Sequence, residues 1–519
     1  MKLANRRINY FLAFCFLWCA APVWAQSGKL PAPDKVIDAY WKALGGKKKV
    51  AALRDATYEW QMWREGQAAG TAQSSLKAPS SARWSLKTDA GEVTAAATGT
   101  SAWARRADGT LRTLTTQEGG PARLWAVLDA SRLVDIKKQN VLARTVMLDA
   151  SAGEPSYVVE FTVKTGAKLR YWFGRDTKLL RQITDSEGKL MARMSDYRAE
   201  NGVQEPHTLE RDIARMGLVT FKLQRANYNQ NLADTSFDPP RDAENIDIPA
   251  LLREIEANQQ QVDERTGEYY YVQKETEREF TGKGELKKQV VKVYEVFPVP
   301  GQEPIRKLTS ENGVQLTGER AKDEEKKATD ALVKAEKERA KDKAKEEEKK
   351  AKASLGGDPN RKDNDDRNLQ LRSFLKMCEF VAPRRETFRG RENIVFDFRP
   401  KPGVKPANRE ESIIAKMVGV VWIDAADKEI SRLEARFKEG IKVGGGLIVN
   451  LKPGASFVIE QQRQPEGVWF PVLASANLSI RLFLFSGNEV NTLIENSDFR
   501  KFNTDVKGYE LKAPPKPEQ

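Results

Sequence analysis

The sequence predicts a mainly antiparallel β protein built as two tandem units with covering α-helices, plus a charged helical insertion in the second unit. Three observations predict this. Short polar-apolar alternations recur between Gly, Ser, Asp and Pro residues at the spacing of an antiparallel sheet. An amphipathic helix pattern precedes the strands in each half. Five segments of the first half reappear in the second in the same order, whereas unrelated β-rich stretches would match in shuffled order. The length of 519 residues exceeds what one hydrophobic core usually serves.

Residues 1–25 carry Lys2, Arg6 and Arg7, then the apolar run INYFLAFCFLWCAAPVWA ending in Val23-Trp24-Ala25. Basic start, apolar middle and small residue before the cut are the pattern of a secretory signal peptide, with an uncleaved membrane anchor as the alternative. Cleavage removes Cys15 and Cys19, leaves Cys378 as the last of three cysteines, and so excludes an intramolecular disulfide. The formal charge of +13 loses the three basic residues of the signal and falls to about +10. For an exported chain that balance suits anionic surfaces such as lipid headgroups, with no nucleic-acid partner.

The first unit, 26–240, opens with DKVIDAYWKALGG, where Val36, Ile37, Tyr40, Trp41 and Leu44 share a helix face, Asp34 is the expected cap and Gly45 the stop. TYEWQMWREG is the first strand. In SYVVEFTVKTG, alternation sets Tyr157, Val159, Phe161 and Val163 on a buried face and Glu160 and Thr162 on a wet one. A Pro-rich polar linker, 241–249, leads to the second unit, 250–512. There IPALLREIEANQQQVDE is a helix with Leu251, Leu252, Ile255 and Val262 along one side, and GEYYYVQKETEREFTGKG is the strand after it.

The correspondences then run in order. SAWARRADGTLRTLT matches EPIRKLTSENGVQLT, SYVVEFTVKTG matches RENIVFDFRPKPG, and LRYWFGRDTKLLRQIT matches GVVWIDAADKEISRLEA. A Gly-Val-x-x-Pro turn follows in both, at Gly202–Pro206 and Gly467–Pro471. The insertion, 320–366, has no partner in the first half. From Arg320 to Lys352 it holds 13 basic and 10 acidic residues with few large apolar side chains, which predicts a solvated helix about 50 Å long followed by a flexible loop.

Catalytic chemistry leaves little trace. The one histidine, His207, follows Pro206 in what reads as a polar surface turn, so a triad would have to use it, and multi-His or Cys/His metal sites are ruled out by count. The VGGGLIVN run at 443–450 lacks the Lys-Ser/Thr of a phosphate-cradling loop and reads as a bend or bulge. No cofactor or metal is expected. What remains is apolar surface on curved sheets. Its expected ligand-facing residues are Tyr157, Val159, Phe161, Leu169, Tyr171 and Phe173, with Ile394, Phe396 and Phe398 in the second copy, their direction taken from alternation. An acyl chain of about 16 carbons gains about 12 kcal/mol on leaving water for such a groove, before ordering costs.

The run of YWFGRDTKLLRQI, DYRAENGVQEPHTL and LVTFKLQRANYNQNLADTSFDPP resembles the periplasmic lipoprotein-sorting carriers of the LolA/LolB fold over about residues 34–240; VVWIDAADKEISRLEARF, GVWFPVLAS and NSDFRKF resemble them more loosely. The resemblance implies two LolA-like incomplete β-barrels, each a half-barrel wrapped on helices around a cavity for acyl chains, and a lid held shut by an arginine that the sequence reading does not place. The expectation is therefore a periplasmic, non-enzymatic carrier of lipid or lipoprotein acyl chains that touches anionic membrane surfaces in passing. The alternative is a regulatory module of the same fold, similar to periplasmic sigma-E regulators, that binds envelope-protein peptides by strand addition. A hydrolase using scattered carboxylates is a third reading.

Overall fold

The computed structural model describes residues 29–501 apart from 152, 164, 242–245, 257–267, 282–285, 300–302, 354–371, 444–448, 452 and 483–485. The expected signal peptide, Val262, the centre of the glycine run and residues 354–366 of the insertion thus lie outside the described residues. Helices α1 (Pro33–Ala43) and α2 (Lys47–Ala52) lead into a meander of β1 (Asp55–Arg64), β2 (Gln67–Lys77), β3 (Ser81–Thr88), β4 (Gly91–Ala97), β5 (Ala102–Arg105) and β6 (Leu111–Leu114). Helix α3 (Thr116–Ala130) follows. A second meander runs through β7 (Leu142–Asp149), β8 (Ser156–Thr162), β9 (Lys168–Gly174), β10 (Leu180–Asp185), β11 (Leu190–Glu200), β12 (Val203–Ile213) and β13 (Gly217–Tyr228). Strand β13 pairs with β1, which fuses both meanders into one 13-stranded sheet with β6 and β7 at its edges.

The second half repeats the plan. Helix α4 (248–256) precedes β14 (Tyr269–Phe280), β15 (Leu286–Phe297), β16 (Ile305–Glu311) and β17 (Val314–Gln315). Helices α5 (Gly318–Ala353) and α6 (372–377) come next. Then follow β18 (Cys378–Phe388), β19 (Arg391–Pro400), α7 (Arg409–Ile414), β20 (Met417–Asp424), β21 (Ile430–Phe437), β22 (Ile441–Val443), β23 (Val449–Leu451), β24 (Ser456–Arg463), β25 (Trp469–Leu482) and β26 (Ser486–Lys501). Strand β26 pairs with β14, giving a second sheet with β17 and β18 at its edges and the β22–β23 hairpin attached to β25. All pairings are antiparallel, and among the described residues neither sheet closes into a barrel.

The matched segments occupy equal places. The hairpins β5–β6 and β16–β17 end the first meander of each sheet, β8 and β19 are the second strands after the helix, and β9–β10 and β20–β21 come next. Both Gly-Val-x-x-Pro turns open the strand before the closing one, β12 or β25. In the first, Asn201 and Gly202 have φ of 49° and 77° between the paired Glu200 and Val203, the two-residue left-handed loop that suits strand twist. The tip packs on the end of α1. Gln204 donates its backbone N–H to Leu44 O at 2.9 Å, and a Cβ on Gly45 would stand 2.6 Å from Gly202 O, so only glycine fits where α1 stops. Asp34, expected to cap α1, lies instead in its first turn, because Pro33 begins the helix after Ala32.

Alternation aims the predicted apolar rows correctly but underrates the opposite faces. Val159, Phe161, Leu169, Tyr171 and Phe173 join the core under α1 and α3. Glu160, expected in water, is buried between Arg170 and Arg144, and Val158 is sealed against Trp172. In β19 both faces are buried: Ile394, Phe396 and Phe398 pack on Ile248, Leu251, Leu252 and Ile255 of α4, while Asp397 points at the first sheet. Helix α5 forms where expected but is not solvated all round, since Ala328, Leu332 and Ala335, on one stripe, pack on Tyr270, Phe297 and Ile305. It takes the same place between meanders as α3.

The sheets meet through buried charge. Arg384, 1% exposed, binds Glu386 at 2.7 Å and Asp397 at 3.0 Å, and these acids accept from Thr113 and Ser101 of the first sheet. Arg432 lies between Glu434 and Glu460 and donates to Gln117, while Glu434 accepts from the N–H and hydroxyl of Thr116, both at 2.7 Å. Such a network matters most when half of it is removed, because an unpaired buried charge is left behind. Arg384→Met should therefore destabilise the chain by about 3–5 kcal/mol in urea unfolding, and Arg384→Met combined with Glu386→Leu and Asp397→Leu should recover much of that loss.

Candidate ligand cavity

Helix α3 is the wall of the cavity, and its sequence, TQEGGPARLWAVLDA, holds two glycines and a proline that resist helix formation. Its ends compensate. Thr115 accepts from Glu118 N while Glu118 accepts from Thr115 N, a capping box. At the other end Arg132 N donates to Asp129 O at 3.0 Å and Leu133 N to Leu128 O at 3.1 Å, the crossed pair of a Schellman motif. Gly119 lies so close to Ala102 and Leu114 that a Cβ would stand 3.0 Å and 3.2 Å from their Cβ atoms. Close approach and fixed ends hold a weak helix against the sheet.

Between α1, α3 and the first sheet lies a cavity of about 120 Å³. Its walls are Tyr40, Tyr58, Trp60, Trp84, Trp125 and Tyr171, closed by Leu180, Ala192, Met194 and Leu209. Trp60 stacks on Trp84 at 6.0 Å, and the Arg211 guanidinium stands 4.7 Å from the ring centres of both Trp84 and Trp125.

Charges sit at two points on this wall. Arg132 binds Glu205 of β12 at 2.7 Å and donates to the Tyr58 hydroxyl of β1 at 2.6 Å, and its carbonyl accepts from Trp41 of α1 at 3.0 Å. This one residue ties the end of α3 to two strands and to α1. It does so with φ of 50°, a left-handed position that favours glycine. Burial would lower the Arg132 pKa, but Glu205 raises it above the ordinary arginine value, so its charge is permanent. The second point is Asp129, beside the Tyr171 hydroxyl. Burial pushes its carboxyl up to about 7 against the pull of Arg211 and Arg132.

Of the nine expected groove residues, Tyr171 lines the cavity. Val159, Phe161, Leu169 and Phe173 form the packed layer next to it, Phe173 meeting Tyr40 at 5.1 Å, and Tyr157 is half-buried at the margin of that core. Ile394, Phe396 and Phe398 are buried against α4 in the other unit. Trp60, Trp84, Trp125, Arg132, Glu205 and Arg211 also line the cavity and were not expected from the sequence. The alternation of Tyr58, Trp60 and Met62 in β1 was a usable signal; nothing local marks Arg132 or Glu205. His207 is in strand β12, not in a turn, and is largely buried with Nε2 3.1 Å from Glu200. A wider groove of about 1060 Å³ separates β7–β8 from β14–β15 and β25–β26, lined by Val141, Arg144, Lys168, Phe280, Leu286 and Leu478 among others. Among the described residues no cluster of three metal-binding side chains occurs, and no helix is long and apolar enough to cross a membrane.

No protein-family model matches the chain, and no curated protein matches it. Among solved structures the chain is similar to a DUF1329 family protein from Desulfovibrio piger, at 14% identity over 40% of this chain and 96% of that one, with a TM-score of 0.28. It is similar to a LolA superfamily protein from Nitrosomonas europaea, at 11% identity over 40% of this chain and 99% of that one, also with a TM-score of 0.28. It is similar too to the MucA/MucB complex of Pseudomonas aeruginosa, at 10% identity over 90% of this chain and 99% of that one, with a TM-score of 0.17. The likenesses to the DUF1329 and LolA superfamily structures each span about 40% of this chain. Scores and identities this low say nothing of what the chain binds.

The raised pKa of Asp129 has a defined sign. Between about 4 and about 7 the folded chain holds a proton that the unfolded chain has released, so this group makes stability fall as pH rises through that window. Asp129→Asn should remove the slope. In urea unfolding at a series of pH values, the variant should gain stability relative to the parent from about pH 4 to about 7 and hold a constant difference above it.

Proposed function

We propose that the chain is an exported, non-enzymatic binding protein that takes the acyl chain of a lipid or lipoprotein into the aromatic cavity beneath α3. The observation that carries this reading is a ring-walled cavity closed by a helix whose end is tied down by the Arg132, Glu205 and Tyr58 group. Apolar walls recognise an alkyl chain without any titratable group, at about 0.8 kcal/mol per methylene. An engineered cavity of about 150 Å³ holds benzene, so about 120 Å³ admits the end of one chain while α3 is seated. A whole chain enters as Arg132 releases Glu205 and α3 lifts. The periplasm is the compartment we assign, on the signal-peptide pattern at 1–25 and the net positive charge.

One observation favours the regulatory alternative. Among the described residues strand β7 is unpaired on its outer side, and Met147 and Leu148 on it are exposed, an arrangement that can accept a peptide as an added strand.

Palmitate brominated near its methyl end discriminates the two, because bromine quenches tryptophan only at short range. Purified chain should show saturable quenching, and Ala192→Phe, which fills the cavity, should weaken it at least tenfold. Absence of saturable quenching by palmitate and by lysophospholipid, with an extended peptide binding instead, would replace the acyl-chain reading with the regulatory one.

A further inference from the structure

A second cavity, of about 150 Å³ and open on one side, lies across α3 from the aromatic one and is lined by residues of both sheets. Thr116, Gly120, Arg123, Leu124 and Val127 of α3 face it, whereas Trp125, Leu128 and Asp129 face the first. From the second sheet it receives Glu434, Arg436 and Ser456.

Three charged side chains of β21 point the same way, at positions 432, 434 and 436. The first two are satisfied: Arg432 has Glu434, Glu460 and Gln117, and both oxygens of Glu434 are taken by Thr116, with Arg432 on one of them. Arg436 is not. Its Nε is sealed from solvent without a hydrogen-bond partner, and among the described residues it forms no ion pair. Its guanidinium lies against Gly99, where a Cβ would stand 2.7 Å from Nη2, so the loop at 98–100 is cut to admit it. Burial, and after it the charge of Arg123, pulls Arg436 down to about 10. Arg123 donates to the carbonyls of Thr100 and Thr115 and stands 4.0 Å from Glu434.

Arg436 is half-buried, with its Nε sealed, so its guanidinium favours a counter-charge, and in this cavity the one carboxylate is already committed. We propose that this cavity binds a phosphate group, free or carried as a lipid headgroup, with Arg436 as its forked partner. Arg123 supplies a second positive charge, and the hydroxyls of Thr100 and Ser456 are further donors on the wall. The volume takes one tetrahedral oxyanion with a few waters. The N-terminus of α3 is not part of this site, because Glu434 already fills it. The inference stands independently of the acyl-chain reading.

The test uses the purified full chain, calorimetric titration and urea unfolding, with sodium chloride at equal ionic strength as the reference. Inorganic phosphate is one arm and dihexanoyl phosphatidic acid the other, with dihexanoyl phosphatidylcholine as its control. Binding of phosphate assigns a free anion; binding of phosphatidic acid alone assigns a headgroup. In either case Arg436→Met should weaken binding at least tenfold, and in phosphate-free buffer the same variant should unfold at an equal or higher urea midpoint, since an uncompensated charge has gone. The proposal is overturned if neither probe binds beyond chloride, if R436M binds like the parent, or if R436M unfolds at a clearly lower midpoint without anion, which would make Arg436 a structural residue.

Discussion

Everything in this fold turns on how α3 is held, because it is a poor helix placed where two sheets and two cavities meet. Its middle contributes little intrinsic stability: Gly119, Gly120 and Pro121 each oppose helix formation. Its ends are therefore decisive. Glu434 of the second sheet accepts from Thr116 at the start, and Arg132 reaches Glu205 and Tyr58 at the finish. Between those ends Leu124, Ala126, Leu128 and Ala130 are buried, so lifting the helix means breaking both terminal ties and giving up this apolar packing. The left-handed backbone at Arg132 adds a small strain that the ion pair offsets.

The junction between the sheets follows a different rule. A strand covered on one side by helices and on the other by a second sheet loses stability for each polar group left unpaired, and Arg384, Glu386, Asp397, Arg432 and Glu434 of β18, β19 and β21 are all paired. Paired charges of this kind add little net stability but fix one docking geometry, because any slip leaves a charge alone. Glu434 belongs both to this network and to the start of α3. The second sheet therefore bears directly on the helix that closes the first unit's cavity.

Much of this was legible in the sequence. Strand alternation placed Val159, Phe161, Tyr171 and Phe396 on the correct faces, the amphipathic pattern found α1 and α4, and the recurring Gly-Val-x-x-Pro turns fell at equal places in the two sheets. What was not legible has a common cause. The propensity of Gly-Gly-Pro hid α3, whose stability comes from its caps and its contacts with Ala102, Leu114 and Ala167. Charge at 384, 397 and 432 reads as surface until a second sheet covers it. The small residues Ala328 and Ala335 carry too little hydrophobicity to announce the buried stripe of α5. The aromatic cavity draws on β1, β3, α3 and β9, and no local spacing joins Trp60 to Trp125.

The central claim is that an acyl tail lies beneath α3 rather than in the wide groove between the sheets. Photo-crosslinking with a palmitate that carries a diazirine near its methyl end, mapped by peptide mass spectrometry, tests it most directly. The account predicts adducts on Trp60, Trp84, Trp125 or Tyr171, the rings that wall the cavity. Adducts confined to Phe280, Leu286 and Leu478, which line the groove, would contradict it.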